Sequence, residues 1–162
     1  MVGDYVLYLI IGMKLLIFME EIFKDVIGYE DYFKISNHGN LYSKLSNRLL
    51  KQTVSATGYY TVATKIGGRT GTAICFKIHR LVAEAFLEPP SKQQLQWAST
   101  TKYNKVLVNH KDGNKLNNNV DNLEWATASE NTNHAISTGL LTYKERNTEH
   151  GTYTNYRYGL LS

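Results

Sequence analysis

The sequence is poor in cysteine and proline: its 162 residues contain one cysteine and two prolines. A single cysteine cannot close a disulfide within the chain, which excludes a disulfide-stapled scaffold and is typical of a reduced, intracellular protein. Because Cys75 lies in the apolar run Ala-Ile-Cys-Phe, we predict that it is a core thiol rather than a nucleophile. The prolines are adjacent, at positions 89 and 90, where they are predicted to end a helix.

An excess of acidic residues is also absent. Lys and Arg number 18 against 14 Asp and Glu, which gives a formal net charge of +4. This balance suits a polyanionic partner such as nucleic acid, although many other soluble proteins share it. The 12 tyrosines could stack on bases, but half-buried strand positions are the commoner explanation.

No apolar run is long enough to span a membrane. Residues 5–19 are almost wholly apolar, but they fall short of the roughly 20 residues that a spanning helix needs, and Lys14 interrupts them. Asp4 precedes the run, where a secretory signal would be basic. We interpret residues 1–19 as an extension that would be absent if translation began at a downstream methionine. The alternatives are an extra docked strand or helix, or a membrane tether. A cytoplasmic protein without stable membrane association is therefore expected.

Residues 20–78 alternate short apolar and polar runs separated by turn residues, which predicts a small antiparallel β-sheet. Within it, residues 33–43 (Phe-Lys-Ile-Ser-Asn-His-Gly-Asn-Leu-Tyr-Ser) predict a tight hairpin. Further strands are predicted at 48–54, 59–66 and 72–78. With the helices predicted farther along, the fold class is α+β: a small antiparallel sheet module followed by a strand–strand–helix unit.

Basic residues are spread over the strands and loops of both units. Such residues can line one face of a sheet and contact phosphates, and a β-ribbon can enter the major groove. Taken singly, they more often keep exposed strands and loops soluble. The candidate DNA-binding residues are Lys51, Lys65, Arg69, Lys77, Arg80, Lys111 and Lys115.

Two segments connect the sheet module to the C-terminal half. The segment 91–104 is polar and rich in Gln, Lys and Thr, so we predict a loop. Before it, residues 79–87 are predicted to form a helix whose buried side comprises Leu81, Val82, Ala85 and Phe86.

The stretch 106–139 carries the candidate chemistry. An apolar strand at 106–108 ends on Asn109-His110, a Gly- and Asn-rich loop follows, and a second strand is predicted at 122–126. Thr127-Ala-Ser-Glu130 has the spacing of a capping box, which predicts a helix from near Ala128 to Gly139.

This order of elements brings Asn109 and His110 close to Asn131 and His134, which are three residues apart and share a helix face. An imidazole that faces oxygen and nitrogen ligands is a plausible site for a hard divalent ion beside a general base.

Two stretches carry a resemblance to a known family. Asn109-His-Lys-Asp-Gly-Asn with Asn122-Leu-Glu-Trp, preceded by the run His79-Arg-Leu-Val-Ala-Glu-Ala-Phe, resembles the HNH motif (the ββα-metal finger) of phage and intron-borne homing endonucleases. Over a shorter span, Gly28-Tyr-Glu and Tyr32-Phe-Lys-Ile-Ser-Asn-His-Gly resemble the DNA-binding module that often precedes such motifs. The resemblance implies a DNA-binding module at 20–78 and a nuclease domain at 79–139. The resemblance also implies that His79 is a hydrogen-bonded residue of the supporting scaffold.

The resemblance also implies the roles of the site residues. His110 is the candidate general base, since a neutral imidazole can accept a proton from water near neutral pH. Asn122 is the middle residue of the motif, tying loop to strand so that His110 is aimed. Mg²⁺, or another divalent ion such as Mn²⁺, would be held by Asn131 and Asn109. Many relatives carry Asp or His in place of Asn109, and a neutral amide binds Mg²⁺ less tightly. His134 is a secondary candidate ligand that would favour Zn²⁺, Ni²⁺ or Mn²⁺, and it could equally contact a phosphate or pack.

We therefore expect a metal-dependent HNH endonuclease of the homing type, which hydrolyses phosphodiester bonds of double-stranded DNA by nicking or by cutting both strands. If a phage encodes it, the host cytoplasm or nucleoid is the expected location. The alternative, motivated by Asn109, is a DNA-binding protein whose degenerate finger is not catalytic. No protein partner is implied. Residues 140–162 are predicted to be a flexible or loosely docked tail that could lie along a DNA backbone.

Overall fold

The computed structural model describes residues 20–67, 70–101, 105–148 and 151–158, with the backbone alone after residue 141. Within these ranges, short antiparallel strands and three α-helices alternate along the chain, which confirms the predicted α+β class. The predicted extension at 1–19 and the candidate DNA-binding residue Arg69 lie outside the described residues.

The first sheet has the strand order β1-β2-β3-β4, and β2 and β3 are the predicted hairpin. Ile35 of β2 pairs with Leu41 of β3, and both side chains are fully buried because paired residues point to the same face. Gly39 in the connecting turn has a φ of +88°, a conformation that L side chains rarely adopt. The strands are Phe23–Asp25, Phe33–Ser36, Leu41–Ser43 and Arg48–Leu49.

A second sheet, β5-β6-β7, is formed by Thr53–Val54, Tyr60–Ile66 and Thr72–Lys77. The prediction of one sheet with a strand at 48–54 was therefore wrong, since this segment is divided between two sheets. The Leu50 N–H donates to the Leu41 carbonyl at 2.8 Å, and Gln52 Nε2 donates to the Gly39 carbonyl at 2.8 Å. These bonds hold residues 50–52 against the first sheet before the chain pairs with β6.

Cys75 in β7 is exposed, so the prediction of a core thiol was also wrong. Successive side chains of a strand point to opposite faces, and in β7 it is Phe76 that is buried. The apolar neighbours of Cys75 in the sequence therefore do not decide which face it occupies.

One hydrophobic cluster joins both sheets to the first helix, α1, which comprises Ile78–Phe86. Burying each large side chain of this cluster contributes roughly 1.5–3 kcal/mol to folding. Of the predicted buried side of α1, Leu81 and Val82 are buried, whereas Ala85 and Phe86 are half-buried. The cluster crosses the predicted module boundary at residue 78, and its buried members are Val26, Phe33, Ile35, Leu41, Val62, Phe76, Ile78, Leu81, Val82 and Leu123.

The second helix, α2 (Lys92–Thr100), lies where a loop was predicted. Ser91 Oγ accepts a hydrogen bond from the Gln94 N–H at 3.2 Å, and Gln94 Oε1 accepts one from the Ser91 N–H at 3.0 Å. This capping box and the helix-forming residues after it outweigh the polar composition on which the prediction depended. Gln94 Nε2 also donates to the Trp125 carbonyl at 2.9 Å, which attaches α2 to the next unit.

The predicted strand–strand–helix unit is confirmed. β8 (Leu107–His110) pairs antiparallel with β9 (Leu123–Ala126), and a 3₁₀ turn, Val120–Asn122, leads into β9. The third helix, α3 (Ala128–Ser137), begins at the predicted capping box: Thr127 and Glu130 bond each other's backbone N–H.

The segment predicted to be a flexible or loosely docked tail forms a β-hairpin in its described residues, which contradicts the prediction of flexibility. β10 (Leu141–Thr148) pairs antiparallel with β11 (Gly151–Tyr158) over eight residue pairs. The segment is rich in Thr and Tyr, which favour strands, and Leu141 is buried. Among the helices of the described ranges, none has the length and apolarity needed to cross a bilayer.

Candidate active site

A cleft of about 430 Å³ brings together most of the predicted site residues. Its wall includes Asn109 and His110 at the end of β8, Lys115 in the following loop, and Asn131 and His134 on α3. Gly58 and Tyr59, from the turn between β5 and β6, also line it. The strand end and the helix face therefore meet as the sequence predicted, and the N-terminal sheets contribute part of the wall.

His110 is buried at the base of this arrangement, with 5% of its surface exposed. Its Nε2 lies 3.1 Å from Oδ1 of Asn118, a residue that is also 5% exposed. Burial lowers the pKa of the His110 imidazole below its ordinary value, and the bond to Asn118 and the charge of Asp112 only partly oppose this. His110 is therefore neutral at physiological pH, the state in which an imidazole can accept a proton.

Asn122 does not line the cleft but ties the loop beneath it together. Its Nδ2 donates to Asp112 Oδ1 at 2.8 Å and to the Asn117 carbonyl at 2.9 Å, while its Oδ1 accepts from the Asp112 N–H at 3.0 Å. Burial would raise the pKa of Asp112, but hydrogen bonds from Asn117, Asn122 and the Asn114 N–H hold that pKa below its ordinary value. This geometry suits the predicted bracing role of Asn122, which stays a prediction.

The orientation of the Asn109 side chain is set by Glu124, its partner across β8 and β9. Asn109 Nδ2 donates to Glu124 Oε1 at 2.7 Å, and the two residues are register partners. A carboxylate can only accept, so the amide nitrogen faces Glu124 and Oδ1 is the atom left for a ligand. Since Asn109 is 6% exposed, this pairing is fixed inside the structure.

The Glu124 carboxylate favours an amide over a second carboxylate at position 109. Asn109→Asp would set two carboxylates against each other, and we expect it to lower the unfolding free energy by about 1–3 kcal/mol. Asn109→Asp combined with Glu124→Gln should recover most of this loss, because the glutamine amide can donate to the new carboxylate. Urea unfolding of the two single variants and the double variant at pH 7.5 without metal measures the coupling; strictly additive losses would contradict it.

Asn131 and His134 of α3 both line the cleft, but their side chains differ in hydrogen bonding. The Asn131 side chain is half-buried, and among the described residues it has no side-chain hydrogen bond. His134 Nε2 lies 2.9 Å from the Lys111 carbonyl, so this nitrogen carries the hydrogen and donates it. That bond attaches α3 to the loop after β8 and leaves only Nδ1 of His134 for a ligand.

The donor atoms of the cleft fit a hard divalent ion held weakly. Asn109 and Asn131 can each offer a neutral amide oxygen, the ligand type that Mg²⁺ and Mn²⁺ accept. In the described part of the chain, no group of three or more His, Cys, Asp or Glu side chains is gathered for a metal. The oxygens of a bound phosphate could add to these two amide ligands.

His79 forms an aromatic cluster behind the cleft with Tyr59 and His110. The ring centroid of His79 lies 4.7 Å from that of Tyr59 and 5.5 Å from that of His110. His79 is 7% exposed, and its Nδ1 has no hydrogen-bond partner among the described residues. The position of His79 in the scaffold agrees with the sequence interpretation. At its Nδ1, however, ring packing takes the place of the expected hydrogen bond.

This cluster makes stability sensitive to acid. Burial lowers the pKa of His79 to about 3, and the charges of His110, Lys77 and Arg80 add to the effect. Below pH 6.5, His79 binds a proton in the unfolded chain but stays neutral in the folded chain. Its contribution to stability is therefore fully present above pH 6.5 and is lost as the pH falls toward 3. We expect His79→Leu to reduce the pH slope of the unfolding free energy by up to about 1.4 kcal/mol per unit between pH 6 and 4. Denaturant midpoints across this range test it; parallel curves for the two proteins would refute it.

The candidate DNA-binding residues differ in how far their side chains are exposed. Lys51, Lys65 and Lys77 are exposed, and the register of β6 and β7 places Lys65 and Lys77 on one face of the second sheet. Arg80 instead donates to the Val106 carbonyl at 3.0 Å and contacts Glu84 at 3.4 Å. Its contact with DNA, like those of the other residues, stays a prediction.

The two lysines nearest His110 also make contacts within the chain. Lys111 Nζ donates to the Asp121 carbonyl at 2.9 Å. Lys115 Nζ donates to the Thr57 carbonyl at 3.3 Å and lies 4.9 Å from the centre of the Tyr59 ring. Lys115 lines the cleft, so of the two it is better placed to meet a phosphate there.

Sequence reasoning missed Asn118, Glu124 and Tyr59. Glu124 could have been found from the register of the two strands, which makes it the partner of Asn109. Nothing in the run Asn117 to Asn119 singles out its middle member. Tyr59 lies about 50 residues before His110 in the sequence and reaches the cleft only through the packing of the second sheet.

Two families match the chain in separate regions. The HNH endonuclease family matches residues 100–133, and the NUMOD4 motif matches residues 21–64. The first region contains the cleft residues of β8 and, on α3, Asn131 and Thr132, but it ends before His134. The second region contains the first sheet and most of β6. The two regions include residues 109–125 and 28–39, which carry the resemblance, but not the run at residues 79–86.

Known relatives agree with both matches. DNA endonuclease I-HmuI of Bacillus phage SP01 is 36% identical over 118 residues, 73% of this chain and 59% of its own. Uncharacterized HNH endonuclease L245 of Acanthamoeba polyphaga mimivirus is 43% identical over 110 residues, 68% of this chain and 28% of its own. H-N-H endonuclease F-TflII of Escherichia phage T5 is 34% identical, over 73% of this chain and 52% of its own. The chain thus spans less than two thirds of the length of these relatives.

A solved structure extends the likeness to the fold. The structure described as DNA binding and cleavage by the HNH homing endonuclease I-HmuI superposes with a TM-score of 0.61 at 35% identity. The match covers 75% of this chain and 61% of that one. Sequence and structure together confirm the resemblance to HNH endonucleases of the homing type.

Proposed function

We propose that the chain, which matches the HNH endonuclease family at residues 100–133 behind a NUMOD4 motif at residues 21–64, is a metal-dependent DNA endonuclease. The proposed reaction is hydrolysis of a phosphodiester bond in double-stranded DNA, which leaves 5′-phosphate and 3′-hydroxyl ends. Because a single HNH finger supplies one active site, a nick in one strand is the expected primary product of a monomer.

The observation that supports this proposal most directly is the composition of the cleft. A buried neutral imidazole, His110, shares one wall with two amides, Asn109 and Asn131, and with the cation of Lys115. A base, oxygen ligands and a positive charge are the groups that phosphodiester hydrolysis requires.

The residues of the chain divide the chemistry among them. His110 takes a proton from water as the water oxygen bonds to phosphorus, and the bond between phosphorus and the 3′ oxygen breaks. The 3′ oxygen then gains a proton from solvent. Lys115 offsets phosphate charge at the cleft, while Asn122 braces the loop that carries His110 and Lys115.

HNH endonucleases generally use a divalent metal ion, and Mg²⁺ or Mn²⁺ fits the amide oxygens here. Asn109 and Asn131 would hold the ion, with Glu124 fixing the orientation of Asn109. When bound, such an ion neutralises charge on the phosphate and on the leaving 3′ oxygen. Because both protein ligands are neutral, we expect metal and DNA to bind interdependently.

A cleavage assay across metals tests the function. The protein is incubated with supercoiled plasmid and with phage DNA in Mg²⁺, Mn²⁺, Ca²⁺ or Zn²⁺, and nicked and linear products are separated on gels. We expect nicks with Mg²⁺ and Mn²⁺ that EDTA abolishes. End-labelling should find 5′-phosphates at the nick. Cleavage that persists in EDTA would overturn the metal-dependent assignment.

A second candidate function is favoured by the neutral Asn109. A finger that binds metal too weakly for catalysis would leave a DNA-binding protein, with the exposed Lys65 and Lys77 on the second sheet as contacts. This candidate would be favoured over the enzyme if gel shifts show that the protein binds a DNA site and no divalent metal supports cleavage of the same DNA.

A further inference from the structure

We propose that Asn118 is a positioning residue for His110, and that the turn at residues 36–40, inside the NUMOD4 region, holds Asn118 in place. The inference rests on the proposed function only in that it calls His110 the base. On this view the NUMOD4 region is a structural part of the nuclease site, besides any contact it makes with DNA.

The first step concerns the ring nitrogens of His110. Its Nε2 lies 3.1 Å from Asn118 Oδ1, and both residues are 5% exposed. An amide oxygen can only accept, so Nε2 must carry the hydrogen and donate it. A neutral imidazole has one protonated nitrogen, which leaves the lone pair on Nδ1. Asn118 therefore selects the tautomer in which Nδ1 is the nitrogen able to take a proton.

The second step concerns what holds Asn118. The neighbouring Val120 N–H donates to the Asn37 carbonyl at 2.8 Å, which joins the nuclease loop to the turn. The turn backbone at Gly39 lies directly against Asn118: a Cβ built on Gly39 would fall 2.9 Å from Asn118 Cβ and 3.2 Å from Ile78 Cγ2. Real Cβ atoms essentially never approach so closely, so only glycine allows this contact.

The third step shows that the turn is itself fixed. Its Gly39 N–H donates to the Ser36 carbonyl at 3.0 Å, and Gln52 Nε2 donates to the Gly39 carbonyl at 2.8 Å. Gln52 comes from the segment that joins the two sheets. A continuous series of contacts thus leads from the N-terminal sheets through Gly39 and Asn118 to the ring of His110.

A pair of glycine variants separates this positioning effect from general strain. Gly39 and Gly28 both have a positive φ, +88° and +79°, so alanine is strained at either position. A Cβ on Gly28 meets nothing within 4 Å, whereas one on Gly39 collides with Asn118. Gly28→Ala is therefore the matched control for Gly39→Ala.

The direct readout is the tautomer of His110 by long-range ¹H–¹⁵N NMR at pH 7.5, with the resonances assigned from His110→Gln. We expect the Nε2-protonated form in the wild type and in Gly28→Ala, and a mixture of tautomers in Gly39→Ala and Asn118→Leu. Asn118→Asp, which keeps an accepting oxygen, should retain the wild-type tautomer. This measurement needs neither DNA nor metal, so it decides the inference even if the chain cuts no DNA.

Cleavage kinetics give the second readout. We expect Asn118→Leu and Gly39→Ala to lower kcat by about tenfold or more with KM for DNA unchanged, and Gly28→Ala to leave both near wild type. If Gly39→Ala does not fold, Gln52→Ala loosens the same turn without adding an atom and should shift the tautomer in the same direction. An Nδ1-protonated ring in the wild type, or equal effects of Gly39→Ala and Gly28→Ala, would overturn the proposal.

Discussion

Replacing His110 by alanine is expected to lower kcat for DNA cleavage by about 10²- to 10⁴-fold, the range that a positioned general base supplies. The residue is buried and neutral, and its Nε2 lies within hydrogen-bond distance of Asn118, so the ring is held in a fixed orientation. The affinity for DNA should change little, because His110 carries no charge that a phosphate could use. Single-turnover cleavage and gel-shift titration, carried out in parallel, measure the two effects.

The same variant offers a chemical control. Removal of the imidazole leaves a space beside the cleft, and added imidazole should restore part of the cleavage rate if the lost function is proton transfer. Unchanged folding is checked by the thermal unfolding temperature. Cleavage by His110→Ala at the wild-type rate would remove His110 from the mechanism and leave the DNA-binding alternative.

Asn131→Ala should give the second largest loss, about 10²-fold in cleavage rate at low metal concentration. The variant removes one of the two amide oxygens that we propose as metal ligands, so we expect the Mg²⁺ concentration for half-maximal rate to rise about 10- to 100-fold. High Mg²⁺ or Mn²⁺ should recover part of the rate. Rates measured across a metal titration at fixed DNA concentration test both statements.

Asn133→Ala is the matched control for this experiment. Asn133 lies on the same helix, two residues further along, but it is exposed and does not line the cleft. Helix propensity and residue type change equally in the two variants, so only the position of the amide differs. A metal dependence of Asn131→Ala that equals that of Asn133→Ala would show that Asn131 is not a ligand.

Local sequence signals explain the parts of the fold that were predicted correctly. Alternation with period two, with glycine in the turn, predicted the β2–β3 hairpin and the strands β6 and β7, because it reflects which face of a strand meets the core. The capping box at Thr127 and Glu130 predicted the start of α3, because it satisfies N–H groups that the first turn of a helix leaves unpaired.

The same reasoning failed where two local signals competed. The segment 91–104 contains a capping sequence at Ser91 to Gln94, but the loop was predicted from polar composition alone, and α2 was missed. Cys75 was assigned to the core from its apolar neighbours, whereas the register with β6 places it on the solvent face. In both cases the deciding information was a specific hydrogen bond or pairing rather than composition.

By itself, the sequence determined the type of the protein and the position of its motif: the spacing of His110, Asn122 and Asn131 requires only a strand, a loop and a helix in order. Only the tertiary structure decided how those residues are held. The partners Glu124, Asn118 and Gly39 were selected by strand register and by packing between segments distant in the chain, and neither is encoded in the spacing of a local motif. Because a hydrogen bond depends on distances of tenths of an ångström, the orientation of each amide and the tautomer of His110 could be inferred only once the two halves of the chain were seen in contact.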